Sequence, residues 1–581
     1  VRGRWSKLGL AVFLLFLLAA FVRALALGLC DIDFGGGGFA PHFTYVSVGE
    51  ARFWIMHTGL VVPASIALLW LARKRLGRLV QPVISVPEKP NPSQDRALAL
   101  LWFSGLTLLY RLGRSVCLYD LSLTDDENTA RFGGQVLASG RLMVPEFQPP
   151  DHFMGRFFFS SDGFVTAADW PGVLSFSALA ELANTDVLYA MWSALGGVAV
   201  VIASHRCFGR VASITAAIAW LVSPMVFSLS LTTHAHVVSR TLVALAVLSY
   251  LRCVAVKDTE SGPSTRAAVA LGLLVGASFC TRPFETACLF APIGVHLLVR
   301  ALKNEPGARP QFVAALVAVA IPLAAFAAYN QAVVGSPWTP PRFSGGAAMD
   351  AESAMEVNER LGSHVAFNAM LLGVFFMGGL GLLGALLGLR FAPTPVRVLA
   401  AGTGLSFLLM LGHDNIGIHT VGPIHYSESV VALVLLGAGA VDGAAKFFTA
   451  LGRREEPVYA MAWGYLVVTV GLLCTVPYAM QLKRYGEAMD FPYAFLHQKN
   501  VHQAIVLAPP TRFAMPAAGP GTWQHFFPPP SPSFEDDVIF TRYDADPEML
   551  HEAHPDRNIY RLRIEPGRGV TEVDLLRAAT P

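Results

Sequence analysis

Apolar runs of about twenty residues recur along this chain, and nothing else in it constrains the fold as much. A helix rises about 1.5 Å per residue, so ~20 apolar residues cross the ~30 Å of bilayer hydrocarbon with all backbone polar groups bonded internally. Such runs lie near 8–29, 53–72, 97–117, 186–204, 211–230, 235–254, 267–280, 284–301, 311–330, 366–389, 395–412, 428–447 and 457–480. They predict an all-α polytopic membrane protein of about thirteen transmembrane helices. Composition agrees. Of 581 residues, 54% are hydrophobic and 14% charged, against about 25% charged in soluble chains. A net charge of +2 supplies no basic field for nucleic acid.

Orientation follows from Lys and Arg, which concentrate in cytoplasmic loops. One set of loops holds Arg2/Arg4/Lys7, Arg73/Lys74/Arg75/Arg78, Arg206/Arg210, Arg252/Lys257/Arg266, Arg300/Lys303/Arg309, Arg390/Arg397 and Lys446/Arg453/Arg454. These alternate with the remaining loops. The expectation is a multi-pass protein of the inner (cytoplasmic) membrane, N-terminus inside, active site and C-terminus on the extracytoplasmic, periplasmic side. The first run, Leu8–Val22, continues past Arg23 to Leu29, which favours an uncleaved helix over a signal peptide cut near Ala24–Ala26. Seven scattered cysteines without Cys-x-x-Cys spacing imply neither disulfides nor a thiolate metal site.

The polar residues crowd the outward side. A long loop spans 118–185, a Gly/Pro-rich one 331–365, and a brief one, 413–427, holds His413, Asp414, His419, His425 and Tyr426. Three units follow: 1–96, two extra helices and a linker; 97–480, the transmembrane core with the 118–185 loop; and 481–581, a small extracytoplasmic α/β domain. The tail shows strand-like runs at Ala504–Leu507, Val538–Phe540 and Ile559–Leu562, with a helix near 547–554.

The sharpest chemistry lies in Thr124-Asp125-Asp126-Glu127, just past a hydrophobic span. Thr-x-x-Glu is a capping box, in which Thr124 caps a helix and Glu127 reaches back. That helix, with Phe132, Val136 and Leu137 on one side, is expected along the membrane surface and to end at Gly140. A cap needs one acid in the first turn, whereas here there are three. Crowded carboxylates repel, which brings one toward the range of a general base.

This stretch, Leu121 to Arg131 and on to Gly140, resembles the first outer loop of polyprenyl-phosphate-dependent glycosyltransferases of the GT-C type. Relatives there include bacterial kin of protein O-mannosyltransferases and lipid A aminoarabinose transferases. Asp162-Gly163 with Trp170-Pro171-Gly172 resembles a further segment of that family. So do Thr281-Arg282-Pro283, and Tyr329-Asn330 with Gly335-Ser336-Pro337. The similarity runs over roughly 97–430. The family's acidic pair aligns with Asp126-Glu127, leaving Asp125 as an extra acid. The family usually places this loop after its first helix, whereas here two extra helices, roughly 8–29 and 53–72, come before it.

The resemblance implies a GT-C-like bundle that moves a hexose or pentose from a polyprenyl-phosphate donor to a lipid, glycan or protein acceptor, with inversion. Catalytic candidates are Asp126, Asp125 and Glu127, with Asp126 as the base. Substrate-binding candidates are Arg131, Arg240, Arg282, His234, His236, His425 and Tyr426; Arg156 and Arg342 join the arginines at outer span ends. Guanidinium forks match phosphate oxygens, although Arg282 also has Glu285 as a ready partner. No resident cofactor or metal is expected, though His152, His234, His236, His419 and His425 are capable of holding a divalent ion. Asp31-x-Asp33 and Asp544-x-Asp546 share a metal–nucleotide spacing that two residues reach easily by chance. A transporter or channel, or a glycan ligase or polymerase, would use the same polar outer face.

Overall fold

A computed structural model describes residues 48–85, 92–154, 157–254, 264–344, 372, 376–410, 418–419, 422–509, 527–565 and 569–580. The first apolar run with Asp31 and Asp33, Arg156, His413 and Asp414 lie outside the described residues, as does the side chain of His419.

Six described helices are long and apolar enough to cross a membrane: Val187–Phe208, Ala235–Cys253, Pro283–Leu302, Ala308–Val334, Val430–Ala450 and the continuous Glu456–Gln498. A seventh span is broken, because Arg210–Val222 and Pro224–Ser230 meet at 60°. Pro224 disfavours helical backbone in the residue before it, and Ser223 is extended at ψ 122°. Shorter apolar helices are Pro171–Leu182, Thr265–Thr281, Met377–Gly388 and Thr394–Met410. By length and composition the described residues give six or seven spans, while the expected run 8–29 and the start of 366–389 lie outside them. Apolar runs such as 267–280 fold as helices of fewer than 18 residues.

Burial separates axis from perimeter. In Ala235–Cys253, 89% of the apolar window is buried, so this helix runs through the bundle. In Ala308–Val334 the figure is 11%, and Val313, Leu316, Val317 and Ile321 are exposed. A contiguous apolar face of that kind suits lipid rather than water.

The 118–185 segment is a compact cap. Its helices Asp125–Ala138 and Pro171–Leu182 flank a three-stranded antiparallel sheet, in the order Val144–Pro145, Phe164–Ala167, Phe158–Ser161. The helices approach closely at Gly134, where a Cβ would meet the Ser177 backbone carbon at 2.8 Å. The apolar side expected of the first helix packs inward, where Phe132 and Val136 enter a core with Phe147, Phe153, Val165 and Leu174.

That core continues into the C-terminal domain through Ile505, Leu507, Ile539 and Ile559. The domain's sheet runs Val538–Arg542, Ala504–Ala508, Asn558–Glu565, Gly569–Arg577; the first three strands are parallel and the last antiparallel. Ala504–Ala508 is buried throughout, as an apolar run in a central parallel strand should be. Asp546 caps the Pro547–Ala553 helix by accepting the Glu548 N–H at 2.9 Å. The fourth strand was not anticipated, although Val573 and Leu575 alternate with acids. The boundary expected at 481 falls inside a helix. Hydropathy drops at Gln481, but helical backbone continues to Gln498.

Candidate functional site

Thr124 has extended backbone (φ −142°, ψ 158°), and its hydroxyl accepts the Glu127 N–H at 3.3 Å, capping the Asp125–Ala138 helix. The three acids then part company. Glu127 is 1% exposed. Its Oε2 accepts the Leu123 N–H at 2.8 Å, and its Oε1 accepts the N–H and hydroxyl of Thr233 at 2.6 and 2.9 Å. It therefore ties the helix start to the segment before Ala235–Cys253, and reaches back to Leu123 rather than to the cap residue. Asp125 is buried, with Oδ1 accepting the Asp126 N–H at 3.1 Å. Asp126 alone keeps its carboxylate part-exposed, at 24%.

Asp126 faces a cation. Its Oδ1 lies 3.7 Å from Arg342 Nη2, and Arg342 Nη1 lies 3.4 Å from Asp169 Oδ1. The Arg342 guanidinium also rests 4.9 Å from the Phe157 ring centre. Burial pushes the Asp169 carboxyl up from its ordinary range; Arg342 opposes this and the Asp126 charge adds to it.

A second group stands beside the first. Arg282 joins the Thr265–Thr281 and Pro283–Leu302 helices, and its Nη2 donates to Glu285 Oε1 and, at 2.8 Å, to His425 Nδ1. The His425 ring lies 5.4 Å from that of His236, and His236 lies 5.4 Å from His234. His236 Nδ1 is 3.2 Å from Glu428 Oε1. His234 Nε2 is 3.4 Å from Thr124 Oγ1, which returns to the acidic helix. Arg282 feels the charges of both Asp126 and Glu428. Ligand-capable atoms of buried His236, Glu285 and His425 lie within 4.8 Å of one another.

The structure thus gathers Asp125, Asp126, Glu127, Arg282, His234, His236 and His425 at one end of the bundle. Four expected residues stand apart. Arg131 pairs with Glu181 at 3.1 Å on a side chain 52% exposed. Arg240 is fully buried, donating to the Ser193 and Ser230 hydroxyls at 3.0 and 2.8 Å beside Trp220. It lies one turn beyond His236, and that turn carries it into the bundle interior. Tyr426 packs its ring 4.9 Å from Phe407 in the core. His152 belongs to the C-terminal interface, where its Nε2 accepts the Asp546 N–H at 3.0 Å.

Two acids escaped the sequence reading. Glu428 opens an apolar span, and a charge at that depth is itself a signal. Asp169 precedes Trp170-Pro171, where a proline at the first helical position marks a helix start.

No protein-family model matches the chain, and neither does any curated protein. Among solved structures it is similar to ArnT from Cupriavidus metallidurans bound to undecaprenyl phosphate. That match has 11% identity and a TM-score of 0.50, covering 80% of this chain and 93% of that one. The same protein in the apo state matches at 12% identity and a TM-score of 0.47, over 80% and 93% of the two chains. The chain therefore has the ArnT-like, GT-C-type fold that its sequence suggests.

Proposed function

We propose that this protein is a membrane glycosyltransferase that moves a sugar from a polyprenyl-phosphate carrier to an acceptor on the extracytoplasmic face. One observation carries the reading. Of three successive acids, Asp126 alone stays part-exposed, and its carboxylate lies 3.7 Å from the Arg342 guanidinium. A base and phosphate-binding forks are the parts such a transfer needs. The solved neighbour, whose fold this chain shares, holds undecaprenyl phosphate, which supports the same donor class here.

In this reading the acceptor hydroxyl or amine approaches from water and gives its proton to Asp126 as it attacks the anomeric carbon. The new bond forms opposite the carbon–oxygen bond to phosphate, which breaks with its electron pair on the phosphate oxygen. The anomeric centre inverts. Arg282 and Arg342 hold the departing phosphate, and Glu127 keeps the base's helix fixed to Thr233.

The test is mass spectrometry of lipids copurified with the detergent-extracted protein. Polyprenyl phosphate or its glycoside is expected, and a preparation free of both, which also fails to bind added polyprenyl phosphate, overturns the proposal. Arg282→Lys should bind the lipid less tightly than wild type, because an ammonium cannot reproduce a bidentate fork. Equal affinities would reduce Arg282 to the partner of Glu285.

A further inference from the structure

The group beside Asp126 has a chemistry that sugar transfer does not require. His236 sits in the first turn of Ala235–Cys253, Glu285 in the first turn of Pro283–Leu302, and His425 in the turn Ile424–Tyr426. Three separate elements thus bring two imidazoles and a carboxylate to one point, with side chains 0%, 3% and 10% exposed. Their ligand-capable atoms are already within 4.8 Å of one another. Donors about 2.0–2.2 Å from a tetrahedral zinc ion stand roughly 3.3–3.6 Å apart, so small side-chain rotations would close the set.

Glu428 Oε1 lies 3.2 Å from His236 Nδ1, and His236 carries its other ring nitrogen, Nε2, on the far side of the imidazole. A carboxylate behind a histidine is the arrangement that orients metal-binding imidazoles and raises their basicity. At His425, Arg282 has only protons to offer, so Nδ1 presents its lone pair to Nη2. The same guanidinium holds Glu285 Oε1. Arg282 therefore occupies, as a monovalent cation, two of the three groups that a divalent cation would use.

We infer that His236, Glu285 and His425 form a binding site for a divalent transition-metal ion, with Glu428 orienting His236. Two imidazoles and one carboxylate suit zinc, and three protein ligands leave a coordination position open. The ion would take the His425 and Glu285 electron pairs now facing Arg282 and release the guanidinium toward Asp126, with which it already interacts. Metal and arginine would then present two cations side by side to one anionic ligand. The inference does not depend on sugar transfer, and its readout is spectroscopic.

The experiment uses the full chain in detergent, stripped with chelator and titrated with Co2+. Wild type should bind one equivalent with the visible absorption of a four- or five-coordinate ion, and Zn2+ should displace it. His425→Gln and Glu285→Gln should each weaken binding at least tenfold, and Glu428→Gln about 10–100-fold. His152→Gln, which lies at the C-terminal interface, should bind as wild type does. X-ray absorption of zinc-loaded wild type, which needs no variant to fold, should show two imidazole ligands. Absence of stoichiometric Co2+ binding overturns the site, as do fewer than two imidazoles or an unchanged affinity in folded His425→Gln and Glu285→Gln.

Discussion

At the scale of single residues, three adjacent carboxylates with the same intrinsic chemistry have three different fates. Glu127 spends both oxygens on Leu123 and Thr233, Asp125 turns back on its own helix start, and Asp126 looks outward to Arg342. Asp126→Asn keeps the shape and the Thr124 cap but removes the base. It should lower turnover about 10²–10⁴-fold while the protein purifies normally. Asp125→Asn retains an oxygen that can accept the Asp126 N–H, so its turnover should stay much closer to wild type. Initial rates with a polyprenyl-phosphate sugar donor check both, and near-wild-type rates in the double variant would remove the carboxylate-base mechanism from this site.

At the scale of elements, the acidic helix is placed by what packs behind it. Gly134 lets Asp125–Ala138 lie against Pro171–Leu182, and a Cβ there would stand 2.6 Å from Ser177 Cβ and 2.8 Å from its backbone carbon. Backbone cannot swing aside as a flexible side chain can. Gly134→Leu gains about 1 kcal/mol in helix propensity but overpacks a tight contact, at about 1–3 kcal/mol or more. Thermal unfolding of the detergent-purified variant should show net destabilisation, and activity should fall because Asp126 rides on the displaced helix. An unchanged midpoint would mean that the two helices separate freely.

At the scale of the whole molecule, the cap and the C-terminal domain are one body sharing a core, so they must lie on the same side of the membrane. With that shared side outward, as proposed, cysteines placed at the exposed Ser139 and Ser533 should both react with an impermeant reagent in intact cells. The six described native cysteines are buried and should stay silent. The same interface carries a pH dependence. Burial, with help from Arg542, lowers the affinity of His152 for a proton, and its Nε2 must remain unprotonated to accept from Asp546. A folded-state pKa below the ordinary value of about 6.5 means that the unfolded chain binds more protons in that window. Docking stability from His152 is thus complete above about pH 6.5 and lost as pH falls through the folded value. The protection of amides in the Ala504–Ala508 strand, corrected for the intrinsic pH dependence of exchange, should fall as pH drops below about 6.5, and His152→Gln should flatten that response.

The sequence by itself determined the helical membrane architecture, the Thr124 cap, the strands at 504–507, 538–540 and 559–562, and the short list from which the site is drawn. Those features are local, because apolar period, capping chemistry and β-branched runs act within a few residues of where they are read. Tertiary structure decided which members of the list meet. Arg240 and His236 are one turn apart on one helix, yet the first binds Ser193 and Ser230 in the interior while the second meets Glu428 at the site. Glu428 is marked locally only as a charge opening an apolar span and Asp169 only by the helix start after it; their partners, His236 and Arg342, lie 192 and 173 residues away. A charge in a low-dielectric interior is set by its partners, and long-range packing alone brings those partners together.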